Sequence, residues 1–259
     1  MSSGQIVLFD IPSKAPRKTW SLNPWKTRML LSYKGLDFKT EWVMNPPFLH
    51  QASATRSLLE YPEIRPRLEP HLPPHEDEPG YTIPTIMLPD GRYVMDSLKI
   101  AEVIEAEYPT PSVHLDSPYH TKVRDFVRDI MGRLQPVYVV HVVKRILDEP
   151  SVPYWNRTRA EYVGMPLDQY EKENPVDKCW EKAAPVMKGV TALLEENSQG
   201  PFFMGSEVSY ADFAWGGFLI FIRSIGEEML EELLKVSGNA KVHLDLLEAL
   251  SPWTERDDH

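Results

Sequence analysis

Cysteine is nearly absent from this sequence, with a single residue, Cys179, among 259. One cysteine excludes an internal disulfide and a Cys-based zinc cluster within the chain. Eight histidines are present, but none lies in HExxH or another metal-ligand spacing, and His71 and His75 fall in a proline-rich segment. We therefore expect no metal site.

Long apolar runs and an excess of positive charge are also lacking. No apolar run approaches the ~20 residues that a membrane-spanning helix needs. The first residues, MSSGQIVLFDIPSK, lack the basic segment, apolar stretch and cleavage site of a secretory signal. A net charge of −10 opposes binding to nucleic acid and to anionic lipid. We expect a cytoplasmic protein without a membrane span.

Short β-rich runs in the first hundred residues predict a small sheet. QIVLFDI and DFKTEWV are read as two parallel strands joined by a helix, and TIMLPDGRYVM as an antiparallel hairpin. Asn23 is expected to cap the first helix, which would run from about 24 to 34 with Pro24 at its first position. Asp96 is expected to cap a second helix that ends near Glu107. Residues 1–110 thus predict an α/β domain.

Apolar residues recur at helical spacing from about residue 117 onward, and no convincing strand pair is found there. Pro136 predicts a kink in the first long helical pattern. Ser209 and Asp212 have the spacing of a capping box at the start of an apolar helix. Gly216 and Gly217 within that helix predict close packing against another backbone. Residues 111–259 are therefore predicted to form an all-helical domain.

Three motifs carry a family resemblance: SLNPWKTR at 21–28, YTIP at 81–84 and MDS at 95–97. In their order and spacing they resemble the glutathione S-transferases, more narrowly the fungal etherase-related (FuA-like) class, kin of the bacterial β-etherases. The family usually has proline directly after the first serine, whereas here Leu22 follows it. The segment MNPPFLHQASATRSLL (44–59) looks like an insertion relative to the family.

The resemblance implies a fold, a cosubstrate and an assembly. The fold would be an N-terminal thioredoxin-like domain with a mixed four-stranded sheet, followed by a C-terminal helical bundle. Glutathione would be the cosubstrate, and the protein would be a homodimer that binds hydrophobic or phenolic small molecules.

The same resemblance assigns candidate site residues. Ser21 and Asn23 would donate hydrogen bonds to the glutathione thiolate beside a helix N-terminus. The resemblance implies a cis peptide bond before Pro84. The backbone N–H and C=O of Ile83 would then pair with the cysteinyl residue of glutathione. Asp96 and Ser97 would hold the γ-glutamyl end. Each of these positions also has a purely structural alternative. Ser21 would be an ordinary turn serine, Asn23 an ordinary N-cap, and the Asp96-Ser97 pair a plain helix cap.

Three functions remain open at this point. The first is a transferase that uses a Ser-stabilised glutathione thiolate against hydrophobic electrophiles, with aryl ethers and peroxides as candidates. The second is a ligandin-like, non-catalytic binder of plant phenolics. The third is a regulatory protein with a glutathione transferase fold. The aromatics Tyr138, Tyr154, Trp155 and Trp180 are candidates to line an apolar cosubstrate cleft.

Overall fold

The computed structural model describes residues 4–43, 64–75 and 80–257. The expected insertion, 44–59, lies outside these residues. Within them the chain folds as a small mixed sheet flanked by helices, followed by a helical region.

The sheet has four strands in the order β2-β1-β3-β4. The strands are β1 (Ile6–Asp10), β2 (Phe38–Trp42), β3 (Thr85–Met87) and β4 (Tyr93–Met95). β1 and β2 are parallel, with Leu8 opposite Thr40, whereas β3 is antiparallel to both β1 and β4. All five residues of β1 are buried, as expected for an inner strand. The predicted parallel pair, the hairpin and the mixed four-stranded sheet are confirmed.

Three helices accompany the sheet: α1 (Leu22–Tyr33), α2 (Ile64–Leu68) and α3 (Ser97–Glu107). The predicted start of α1 is wrong, because Ser21 and not Asn23 occupies the N-cap position. The Trp25 N–H donates to the Ser21 carbonyl O at 3.2 Å, which places Pro24 within the first turn. The first four N–H groups of a helix have no intrahelical partner, so proline fits anywhere in that turn.

The cap of α3 is as predicted. One carboxylate oxygen of Asp96, Oδ1, accepts from the backbone N–H groups of Leu98 and Lys99 at 2.8 and 3.1 Å. Asp96 has a φ of 81°, a region that aspartate and asparagine enter more readily than most residues.

The rest of the described chain is helical. Its helices are α4 (Pro118–Arg133), α5 (Gln135–Arg145), α6 (Val152–Val163), α7 (Leu167–Glu173), α8 (Val176–Glu195), α9 (Tyr210–Ile225), α10 (Glu227–Lys235) and α11 (Ala240–Leu250). Pro136 lies in the first turn of α5, so the expected kink is a break between two helices. The predicted helical C-terminal region is confirmed, whereas the domain boundary at residue 110 stays a prediction.

Helix α9 is the central helix, and its cap is built as the sequence predicts. The Asp212 carboxylate accepts from the Ser209 N–H at 2.7 Å and from the Phe203 N–H at 2.9 Å. Its burial raises the Asp212 pKa to about 6, against the lowering effect of these hydrogen bonds. The cap therefore fixes the loop before α9 as well as the helix itself.

Helices α9 and α1 pack closely where α1 begins. A Cβ added at Gly217 would lie 3.1 Å from the Leu22 carbonyl O, so the glycine allows the two backbones to approach. Gly216 instead faces the Leu250 side chain, which corrects the expectation that both glycines meet backbone. Gly217 thereby ties the position of Ser21 to the helical region.

A buried ion pair holds α1 against the sheet. The Arg28 Nε donates to the Asp10 carboxylate at 2.9 Å, and both side chains are fully buried. The same guanidinium donates to the Thr40 hydroxyl at 2.7 Å and to the Arg256 carbonyl O at 3.0 Å. Arg28 thus joins α1, two strands and the C-terminal segment.

Among the helices of the described segments, none has the length and apolar character that crossing a membrane requires.

Candidate active site

A cavity of about 300 Å³ lies where the sheet and the helical region meet. All six predicted site residues line it, although they come from three separate stretches of sequence: Ser21, Asn23, Ile83, Pro84, Asp96 and Ser97. A larger groove of about 710 Å³ lies between α5, α6 and α7, and none of the six borders it. The geometry therefore brings the predicted residues together at one place.

Ser21 stands at the N-terminus of α1 and faces the cavity. Its backbone is extended, with φ of −80° and ψ of 142°, and its hydroxyl makes no capping hydrogen bond. Asn23, two residues further on, is exposed and also borders the cavity. The unpaired N–H groups and partial positive charge of this helix end favour an anion at that position.

Ile83 and Pro84 form the next part of the wall. The peptide bond between them is cis, as the resemblance implied. Among the described residues, no backbone hydrogen bond uses the N–H or C=O of Ile83. Ile83 therefore offers both backbone groups where an extended peptide can pair with them.

Asp96 and Ser97 close this end of the cavity. The Asp96 cap bonds both use Oδ1, which leaves the second carboxylate oxygen as an acceptor. Loss of hydration lowers the pKa of Lys26 to about 8, while the nearby Asp96 carboxylate opposes the shift. A buried tyrosine of α9, Tyr210, donates to the Ser97 carbonyl O at 2.9 Å.

The helical region supplies an aromatic wall that sequence reasoning found only in part. Tyr138 and Trp155 line the cavity as expected, whereas Tyr154 and Trp180 do not. Sequence reasoning missed Trp20, Phe221 and Arg159. Arg159 had a signal in the sequence, because it follows Trp155 by four residues, a spacing that brings two side chains together on one helix. In the structure its guanidinium lies 4.2 Å from the centre of the Trp155 ring.

His, Cys, Asp and Glu are side chains that commonly bind metal ions. In the part of the chain that the structure describes, no group of three or more of them is arranged to hold an ion.

The fold and the cavity define a class of protein, and comparison with known families agrees. Residues 20–107 match the glutathione S-transferase N-terminal domain, and residues 120–253 match the glutathione S-transferase C-terminal domain. The chain therefore belongs to the glutathione S-transferase family, whose members use glutathione as a cosubstrate. The family resemblance read from SLNPWKTR, YTIP and MDS is confirmed.

Three of the similar proteins are fungal. The glutathione S-transferase-like protein ustS of Aspergillus flavus is 28% identical over 271 residues, covering 95% of this chain and 90% of that protein. Glutathione S-transferase CsGST63524 of Ceriporiopsis subvermispora, solved with glutathione, has a TM-score of 0.79 and 26% identity, covering 99% of this chain and 100% of its own. Glutathione transferase GSTFuA2 of Phanerochaete chrysosporium has a TM-score of 0.78 and 25% identity, with the same coverage.

Proposed function

We propose that this chain is a glutathione transferase in which the Ser21 hydroxyl stabilises the thiolate of bound glutathione for attack on a hydrophobic electrophile. The observation that carries the proposal is the shared cavity: a serine at a helix N-terminus, the N–H and C=O of Ile83, unpaired among the described residues, and an acidic helix cap all border it. Each of these features meets one requirement of a γ-Glu-Cys-Gly tripeptide.

The tripeptide would lie along the sheet side of the cavity. The Ile83 N–H and C=O would pair with its cysteinyl residue, as one strand pairs with another. Its γ-glutamyl ammonium would bind the second oxygen of Asp96, and its carboxylate the hydroxyl and N–H of Ser97. This orientation directs the cysteinyl sulfur towards Ser21.

The chemistry then needs a thiolate, because the thiol itself is a poor nucleophile. A free thiol has a pKa near ~8.5, so lowering that value raises the reactive fraction at neutral pH. The Ser21 hydroxyl and the α1 N-terminus favour the anion, and the Asn23 amide is a second donor. An electron pair of the thiolate sulfur forms the new bond to carbon of the electrophile. The bond to the displaced group breaks, and that group leaves with the electron pair of the broken bond.

The electrophile is proposed to be an aromatic molecule, with aryl ethers as candidates. The support is the aromatic wall formed by Tyr138, Trp155 and Phe221. A homodimer remains a prediction from the family, and so does binding of phenolic ligands.

Two measurements test the proposal. Immobilised glutathione should retain the protein, and free glutathione should elute it. The purified protein should also transfer glutathione to chlorodinitrobenzene, with release of chloride. Retention without turnover on any aromatic electrophile would contradict the transferase and support the ligandin-like alternative. A protein that does not bind glutathione at all would support the regulatory alternative.

A further inference from the structure

The electrophile side of the cavity is lined mainly by aromatic rings that pack against one another. The Trp20 ring centroid lies 6.5 Å from that of Trp155 and 6.1 Å from that of Phe221. Phe221 in turn lies 6.0 Å from Tyr138, and the Trp155 indole N–H donates to the Val139 carbonyl O at 2.8 Å. These contacts make a continuous, fixed apolar surface for a flat ring.

One end of this wall is polar. The Arg159 guanidinium lies over the Trp155 ring at 4.2 Å and donates to the Thr158 hydroxyl at 3.0 Å, so its position is fixed. The Tyr138 hydroxyl makes no hydrogen bond to any residue that the structure describes. Burial raises the pKa of Tyr138 to about 12, against a lowering effect of Arg159, so this hydroxyl keeps its proton at neutral pH.

We propose that this end selects the electrophile: the cavity prefers an aromatic ring that carries an anionic oxygen substituent, a carboxylate or a phenolate, held by Arg159 and Tyr138. The inference rests on the proposed function and adds its substrate class. A carboxylate matches the fork of guanidinium donors, and a charge-assisted hydrogen bond is about twice as strong as a neutral one. The net charge of −10 repels anions, and the Arg159 cation offsets that repulsion locally.

Arg159 is assigned to the electrophile and not to the glycyl carboxylate of glutathione because of its position. It lies on α6, stacked on the aromatic wall, whereas Ile83, Asp96 and Ser97 belong to the sheet side of the cavity. Arg159 and Tyr138 are specificity-determining residues in this account. The thiolate chemistry at Ser21 does not require either of them.

A matched pair of electrophiles isolates the charge. In para-chloro-meta-nitrobenzoate and its amide, the thiolate sulfur attacks the carbon that bears chlorine, a C–S bond forms, and chloride leaves with the C–Cl electron pair. The two molecules have nearly the same shape, but only the benzoate carries an anionic oxygen. For each variant, the ratio of its kcat/KM to that of the wild type cancels the intrinsic reactivity of the electrophile.

The informative variant is Arg159→Met, which keeps the length of the side chain and removes the charge. We expect its kcat/KM to fall about tenfold or more on the benzoate and less than about twofold on the amide. Tyr138→Phe should lower the benzoate value in the same direction by a smaller factor. Arg157→Met is the control, because Arg157 is two residues away on the same helix, borders the larger groove and is exposed. Its two ratios should stay near one.

If Arg159→Met lost the same factor in kcat/KM on the benzoate and on the amide, the proposal would be overturned. A raised KM for glutathione with both electrophiles would also overturn it, and would assign Arg159 to the tripeptide. A binding arm separates this inference from the proposed function. Without glutathione, meta-nitrobenzoate should quench tryptophan fluorescence at lower concentration than meta-nitrobenzamide, and Arg159→Met should remove the difference. That result, in a protein with no turnover, supports the anion preference while the transferase proposal fails.

Discussion

The Tyr210 hydroxyl of α9 donates a buried 2.9 Å hydrogen bond to the carbonyl O of Ser97, 113 residues away in the chain. Ser97 is the first residue of α3 and borders the cavity. The central helix of the helical region therefore contacts the backbone that is proposed to bind the γ-glutamyl carboxylate. Gly217 of α9 also lies close to Leu22. Helix α9 therefore contacts the N-termini of both α1 and α3 at the site.

Removing that hydroxyl tests the connection. Tyr210→Phe keeps the ring packed and leaves the Ser97 carbonyl without this donor, so the free energy of unfolding should fall by about 1 kcal/mol. The KM for glutathione should rise a few-fold, with little change in kcat. Tyr119→Phe is the control, since Tyr119 also bonds through its hydroxyl, to Glu196 at 3.3 Å, but does not border the cavity. A stability loss with unchanged glutathione KM would show that the Tyr210 bond is structural only.

Asp96 is proposed to both cap α3 and bind glutathione, and Asp96→Asn separates the two roles. Asparagine retains an oxygen in place of Oδ1 for the cap and tolerates the positive φ, but it lacks the charge that would bind the ammonium. We expect the KM for glutathione to rise about tenfold while the melting temperature changes little.

Ser117→Ala is the matched control for Asp96. Ser117 caps α4 through a hydrogen bond from the Tyr119 N–H and does not line the cavity, so its loss should lower stability and leave the KM for glutathione unchanged. If Asp96→Asn behaved like this control, Asp96 would be a cap alone.

Asp212 is predicted to stabilise the fold without taking part in the chemistry. Asp212→Ala leaves the buried N–H groups of Phe203 and Ser209 without their acceptor, so the free energy of unfolding should fall by about 2 to 4 kcal/mol. Urea unfolding measures this. Asp245→Ala is the control, because Asp245 is partly exposed and paired with Lys241, so its loss should lower the free energy of unfolding by less than ~1 kcal/mol. An Asp212→Ala protein with native stability and reduced turnover would place Asp212 in the site instead.

His243 is expected to make the protein acid-sensitive. The Trp215 indole N–H donates to its Nδ1 at 3.0 Å, so the buried ring is neutral, and burial lowers its pKa to about 4. The unfolded chain binds a proton near the ordinary value of ~6.5 and the folded chain does not, so stability is lost as pH falls from there to about 4. The full loss is about 3 kcal/mol.

The contribution of His243 to the pH dependence of stability is measured as the difference between the wild type and His243→Gln. The Asp212 carboxyl, with its pKa raised to about 6, acts in the opposite direction, because the folded state then binds the extra proton as pH falls. Urea unfolding of the wild type and of His243→Gln should therefore be compared across the same pH range. The wild type should lose stability more steeply towards acid, whereas parallel curves would contradict the assignment.

Much of the fold could be read from the sequence because its signals are local. Alternating apolar residues predicted β1 and β2, Pro89-Asp90-Gly91 predicted the hairpin, and Asp96 predicted the start of α3. The start of α1 was misplaced by two residues, since proline fits at several positions of a first turn and does not mark one of them.

The candidate site was predictable only where the family motifs reach it. Those motifs supplied all six residues on the sheet side. The aromatic wall depends on the packing of α5, α6 and α9 against Trp20, and nothing in the sequence pattern specifies which face of each helix turns towards the cavity. Arg159 was missed for that reason, despite its spacing from Trp155.

The pKa of the glutathione thiol in its bound state tests the central claim most directly, read from thiolate absorbance against pH in wild type, Ser21→Ala and Ser21→Thr. Loss of the hydroxyl should raise this pKa by about one unit, equivalent to 1.4 kcal/mol, and lower turnover at neutral pH about tenfold. Ser21→Thr, which retains a hydroxyl, should remain closer to wild type, and glutathione affinity should change little in either variant. An unchanged titration and rate in Ser21→Ala, with a large loss in Asn23→Ala, would contradict the account and move thiolate stabilisation to Asn23.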